Sequence, residues 1–137
     1  MPFGPKLLKS LKPTKVKRRP ATLGDHLLKR RVTLGLRQKE VAKTIGVSSW
    51  TYLLWEQDKT KPEIRYWPKI ISFLGVDPSP PPTTLGEKLK AYRRRRGLSQ
   101  AKLASQLGVD ATSLWEWEND LSKPMATSLS KLSLIIT

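Results

Sequence analysis

The feature that most constrains this chain is an internal repeat: shifted by 62 residues, Thr22 to Pro62 aligns on Thr84 to Pro124 without a gap. Sixteen of the forty-one pairs are identical, where ordinary composition would give about two or three. The identities begin at Thr22, Leu23, Gly24, Leu27, Arg31, Gly35, Leu36, Gln38, Ala42, Gly46, Val47, Trp55, Glu56, Asp58, Lys61 and Pro62. One small unit therefore occurs twice, and the fold must be one that about 50 residues can build. Between the copies lies Asp77-Pro78-Ser79-Pro80-Pro81-Pro82-Thr83, whose consecutive prolines make an extended, semi-stiff spacer. The expected division is an arm at 1–21, a first domain at 22–75, a proline-rich linker at 76–83 and a second domain at 84–137.

Each copy reads as a run of short helices, so the fold class expected is all-α. Thr22 and Thr84 are N-cap candidates ahead of Leu23/Leu27 and Leu85/Leu89 at i,i+4, and Gly35 and Gly97 stop the helix. A second helix opens at Gln38 or Gln100, the latter behind Ser99, and ends at Gly46 or Gly108. The third, capped by Ser48 or Asp110, runs to about Gln57 or Asn119. Lys61-Pro62 and Lys123-Pro124 lead into a last helix, with Pro68 expected in its first turn in the first copy.

Charge narrows the function. The 137 residues include 26 Lys or Arg against 11 Asp or Glu, a formal charge of +15 that points to polyanionic partners. Residues 1–21 hold seven bases, among them Lys15, Lys17, Arg18 and Arg19, and no acid. Four prolines in the same segment, with like-charge repulsion, favour a disordered basic arm. The absence of Cys and the single His26 exclude a disulfide scaffold, thiol catalysis and the usual zinc sites. No metal or cofactor is implied. No apolar run approaches the roughly 18 residues of a membrane span, and the N-terminus lacks a signal-peptide core, so a soluble cytoplasmic protein is the expectation. The neighbours Asp25 and His26 lack a nucleophile to serve, and Glu116, Glu118 and Asp120 belong to a helix end, so no enzyme is expected.

The spacing Gln-x-x-Val/Leu-Ala-x-x-Ile/Leu-Gly-Val, at Gln38–Val47 and Gln100–Val109, is a helix, a tight glycine turn and a second helix. Ala42 and Ala104 are small where the two helices would cross; Val47, Tyr52 and Trp55, and Val109, Leu114 and Trp117, supply an inner face. With Leu36, Trp55-Glu56 and the Lys61-Pro62 exit, each copy resembles the phage-repressor (Cro-like, xenobiotic-response-element) helix-turn-helix family. The resemblance implies two tandem lambda-repressor-like domains of about four to five short helices each. It further implies that the third helix of each enters the major groove while the second lies across the backbone. Gln38 and Gln100 inherit a phosphate contact, and Arg31–Glu56 and Arg93–Glu118 inherit a structural ion pair.

The outward positions of the third helices depart from that family. In the first copy they include Ser48, Ser49, Trp50, Thr51, Leu53, Leu54 and Gln57; in the second, Ala111, Thr112, Ser113, Trp115, Glu116 and Asn119. Arg, Gln or Asn would be usual for bidentate base readout. Trp50, Thr51 and Leu54 suit thymine methyls, and Glu116 a cytosine amino group. Lys59, Lys61, Lys123 and Arg93–Arg96 are candidates for phosphate. The expected function is a DNA-binding transcriptional regulator, nucleoid-associated in the cytoplasm, with duplex DNA as partner. The alternative is a protein-interaction or RNA-binding module on degenerate helix-turn-helix domains, self-associating or capturing a protein through Trp50/Leu53/Leu54.

Overall fold

A computed structural model describes Val16 and residues 19–136. Lys15, Lys17 and Arg18 of the basic arm lie outside the described residues; Arg19 is exposed. The chain forms two compact units, one running through Pro62 and resuming at Lys69–Ser79, the other made of Glu63–Pro68 and the chain from Pro80 onward. Residues Glu63–Pro68 thus group with the second unit, although the repeat assigns them to the first copy.

The first copy contains α1 (Leu23–Leu34), α2 (Gln38–Ile45), α3 (Ser49–Glu56), a 3-10 turn (Ile64–Tyr66) and α4 (Trp67–Leu74). The second contains α5 (Leu85–Arg96), α6 (Gln100–Leu107), α7 (Ala111–Glu118) and α8 (Ala126–Ser133). No strand occurs among the described residues. No helix of these is long and apolar enough to cross a membrane.

The helix ends are chemically specified. Thr22 Oγ1 accepts from Asp25 N at 3.0 Å while the Asp25 carboxylate accepts from the Ala21 and Thr22 amides. The same reciprocal box joins Thr84 and Glu87. The Thr83 hydroxyl and the Thr84 and Thr83 amides hold the Glu87 carboxyl below the usual carboxylate range. Gly35 and Gly97 end α1 and α5 in the left-handed conformation, φ 69° and 68°. Ser48 and Ser99 cap α3 and α6 through their hydroxyls. Asp110 occupies the N-cap position of α7 but makes no side-chain cap bond.

In the first unit α3 packs on both α1 and α2, and α7 does the same with α5 and α6 in the second. The two cores share six equivalent positions, while Ile45 is buried only in the first and Ala91 only in the second. Leu27, Val41, Ala42, Tyr52, Trp55 and Ile70 are buried in one, and Leu89, Leu103, Ala104, Leu114, Trp117 and Leu132 in the other. Ile70 and Leu132 keep the 62-residue offset, so the repeat extends into the last helix although few identities remain there.

Candidate nucleic-acid interface

The turn between α2 and α3 is built on Gly46, φ 94°, whose amide donates to the Ala42 carbonyl at 2.8 Å while the Val47 amide donates to that same oxygen at 2.9 Å. A side chain other than glycine is strained at such a φ. Gly108, φ 68°, and the Val109-to-Ala104 bond at 2.9 Å repeat the arrangement. Buried Ala42 and Ala104 sit at the end of this ring. The second and third helices of each copy are thereby held as a rigid pair.

A buried polar bracket fixes the first helix to that pair. Arg31 Nε and Nη2 donate to Glu56 Oε2 and Oε1 at 2.7 and 2.9 Å, and its Nη1 donates to the Leu36 carbonyl. The two side chains are 5% and 6% exposed. Arg93 and Glu118 reproduce this fork at 2.6 and 2.8 Å, with Arg93 Nη1 on the Leu98 carbonyl. Burial alone would lower the Arg31 pKa, but the hydrogen bonds and charge of Glu56 outweigh it and hold the group above its ordinary value. Gln38 Nε2 donates to Glu56 Oε1 at 3.1 Å and Gln100 Nε2 to Glu118 Oε1 at 2.9 Å. Each glutamine amide is partly committed to the ion pair and keeps one N–H for an outside acceptor.

A second bracket was not assigned any role from the sequence. Asp58 Oδ2 accepts from Thr22 Oγ1 at 2.6 Å and Oδ1 from Gly24 N at 2.9 Å, tying the loop after α3 to the start of α1. Asp120 does this with Thr84 and Gly86 at 3.0 and 3.2 Å. Both aspartates have positive φ, 58° and 55°. Their recurrence among the identical pairs was the one visible trace. Lys69 and Lys131 were also missed: each ammonium lies near the turn glycine of its copy, 3.8 and 3.7 Å from where a Gly46 or Gly108 side chain would begin. There they face the negative end of α2 and of α6.

The outward faces differ from expectation in degree. Trp50 is 66% exposed, and Ser48, Ser49 and Gln57 are exposed, but Leu53 and Leu54 are half-buried. Lys59 N donates to the Leu54 carbonyl at 2.9 Å, closing the end of α3. The Ser48 hydroxyl is shared with the Thr51 amide and hydroxyl, so it serves the helix start first. On α7, Ala111 and Thr112 are exposed, Ser113 is half-buried, and Trp115 is 48% exposed. Glu116 is half-buried and accepts from Ser122 Oγ at 3.1 Å, which leaves it less free to meet a base amino group. Lys59, Lys61 and Lys123 are exposed, as are Arg95 and Arg96, the latter stacked over Tyr92 at 5.1 Å.

The helix-turn-helix family profile matches residues 27–80, and a second profile, of the helix-turn-helix domain, matches residues 86–135. The chain belongs to the helix-turn-helix family. It carries the domain twice in tandem, each match containing a glycine turn and its two helices. No curated protein and no solved structure matches the chain. A helix-turn-helix domain is a DNA-binding unit of a kind that ordinarily carries no catalysis, so both copies imply duplex DNA as the partner.

Proposed function

We propose that this tandem helix-turn-helix protein is a transcriptional regulator acting by occupancy of duplex DNA in the cytoplasm, at the nucleoid. The observation that carries the reading is the pair of rigid helix-turn-helix units in one chain of net charge +15. Affinity comes from phosphate: Lys59, Lys61 and Lys123, Arg94–Arg96 of the arginine run, one N–H each of Gln38 and Gln100, and Lys15, Lys17, Arg18 and Arg19 of the arm, whereas Arg93 is committed to Glu118 and to the Leu98 carbonyl. Specificity comes from Ser49, Trp50, Thr51 and Leu54 in the first unit and from Ala111, Thr112, Ser113 and Glu116 in the second. Within the first set Trp50, Thr51 and Leu54 suit thymine methyls. Two linked units replace the two protomers of a dimer and gain effective concentration where both sites are present on one duplex.

The test is binding of the full chain to a pool of genomic DNA fragments across ionic strength. With about 6–10 phosphates neutralised, affinity falls about 10³–10⁵-fold between about 50 and 200 mM salt. Binding that is flat over this range, or absent at its lower end, overturns the reading. A set of enriched fragments near promoters supports regulation; uniform retention of all fragments removes the sequence-specific part of the proposal.

A further inference from the structure

The second compact unit carries a group of arginines and aromatic rings outside the helix-turn-helix pair. Part of it comes from the segment Glu63–Pro68, which belongs to this unit and packs on the end of α5. The approach is close: a side chain begun at Gly97 would stand 3.0 Å from Pro68 Cγ and 3.4 Å from the Arg65 carbonyl oxygen. Three guanidiniums lie over rings there. Arg65 covers Tyr66 at 4.8 Å, Arg96 covers Tyr92 at 5.1 Å and Arg94 covers Trp67 at 5.9 Å, measured to the ring centroids. Arg95, between Arg94 and Arg96 in sequence, is exposed. Glu63 stands at the rim, its carboxylate 3.6 Å from Arg65 Nε with both side chains mostly in solvent, a pair that contributes little and yields to a stronger anion.

The repeat shows that none of this is required by the fold. The positions equivalent to Arg94, Arg95 and Arg96 in the first copy are Val32, Thr33 and Leu34, and Tyr92 stands where that copy has Arg30. Those equivalent to Arg65, Tyr66 and Trp67 in the second copy are Thr127, Ser128 and Leu129. Stacked arginine and ring therefore arise here by departure from the repeat on both sides. Yet α1 and α5 are alike in length and in both ends, each running from a threonine cap to a left-handed glycine. Arg93 is a different case, because it recurs as Arg31 and is held by Glu118 inside the domain. Arg94 and Tyr66 have further partners of their own, so the exposed guanidiniums open to a ligand are those of Arg65, Arg95 and Arg96.

We propose that this surface binds single-stranded nucleic acid, with unpaired bases stacked on guanidiniums that are themselves stacked on rings. A planar guanidinium backed by an aromatic ring is held flat and presents its outer face to a second planar group, and every base has such a face. Arg95 and the terminal nitrogens of the stacked arginines supply contacts for phosphate. A duplex keeps its bases inside the helix and uses only the charge; an acidic peptide does the same. Arg94–Arg96 serve the phosphates of either nucleic acid, and stacking is what separates the two. The site goes beyond duplex recognition by the third helices and does not rest on it, since no residue of α2, α3, α6 or α7 takes part in the stacks.

The experiment measures binding of the full chain, by fluorescence anisotropy at constant ionic strength, to an oligothymidylate of about 12 nucleotides and to an abasic strand of the same length. The oligothymidylate should bind about tenfold more tightly, because only it can stack. Arg65→Lys with Arg96→Lys keeps both charges and removes both planes, at positions exposed enough to leave the fold intact. This variant should lose about tenfold in affinity for the oligothymidylate while keeping that for the abasic strand and for a duplex. Equal affinity of the wild type for the two strands, or unchanged affinity of the variant for the oligothymidylate, overturns the proposal. So does a loss of the same size for the abasic strand and the duplex, since the arginines would then act on phosphate alone. Displacement of the oligothymidylate by an equal concentration of oligoglutamate also overturns it, because the surface would then suit an acidic protein. Failure of the wild type to bind duplex leaves the single-strand comparisons readable, so the two readings fail separately.

Discussion

Glu118 is a carboxylate with 1% of its side chain exposed, a placement that would be prohibitive alone and is sustained by three donors from Arg93 and Gln100. Removing it leaves a guanidinium without its partner in an interior site. Glu118→Ala should therefore cost about 3–5 kcal/mol, whereas Arg93→Met with Glu118→Leu should recover most of that loss. Urea unfolding of the three proteins checks the order, and single changes within about 0.5 kcal/mol of wild type would make the pair a surface ornament. Tyr52 shows the reverse case. Its buried hydroxyl makes no hydrogen bond of good geometry among the described residues although it lies beside Glu56 and Arg31, and burial, reinforced by Glu56, pushes its pKa far up. The second copy has Leu114 there. Tyr52→Phe removes an unsatisfied group while keeping the ring against Trp55, so stability should be unchanged or higher by up to about 1 kcal/mol. A clear loss in thermal unfolding would mean that the hydroxyl has a partner in solution.

At the scale of the element, the decisive contact is between the start of the first helix and the end of the third. A methyl on Gly86 would collide with the carbonyl oxygen of Glu118, and one on Gly24 with that of Glu56. Backbone cannot swing aside as a side chain can, so the helices approach this closely only with glycine there. Intrinsic propensity favours alanine in a helix by about 1 kcal/mol. Gly86→Ala should nonetheless lower stability by about 2 kcal/mol net, because the collision outweighs propensity. A urea midpoint at or above that of wild type would show that α5 shifts without cost. The aspartate latch acts on the same joint: Asp120 reaches the Gly86 amide only because its own backbone turns into positive φ after α7.

For the whole molecule, the question is what the exposed apolar face of the first unit does in a protein that is otherwise strongly basic. If Trp50 and Leu54 read DNA, Trp50→Ala with Leu54→Ala should flatten preference among duplexes while leaving the salt slope intact, because apolar groove contacts specify and phosphates do not. Anisotropy on a few selected duplexes measures this. Unchanged selectivity together with lost self-association in sedimentation would instead make the face a protein interface. Trp50, at 66% exposure, carries most of this contrast, since Leu54 is half-buried.

The duplication, the order of helices, the glycine turns and the inner faces were all legible in the sequence, because each rests on local chemistry or on a 62-residue offset that needs no coordinates. Arg31, Glu56, Arg93 and Glu118 were legible as pairs only through resemblance and recurrence. What decided their burial was the packing of helices distant in sequence. Leu54 is half-buried although its helical angle points outward, while Ser48 and Glu116 have their polar atoms taken by partners within six residues in sequence. Asp58 and Asp120 recurred without a readable purpose until the loop was seen against the first helix. The surface of stacked arginines was invisible for a deeper reason: periodicity reports which residues share a face of one helix, while this surface is made where Glu63–Pro68, a segment of the other copy, packs on the end of α5.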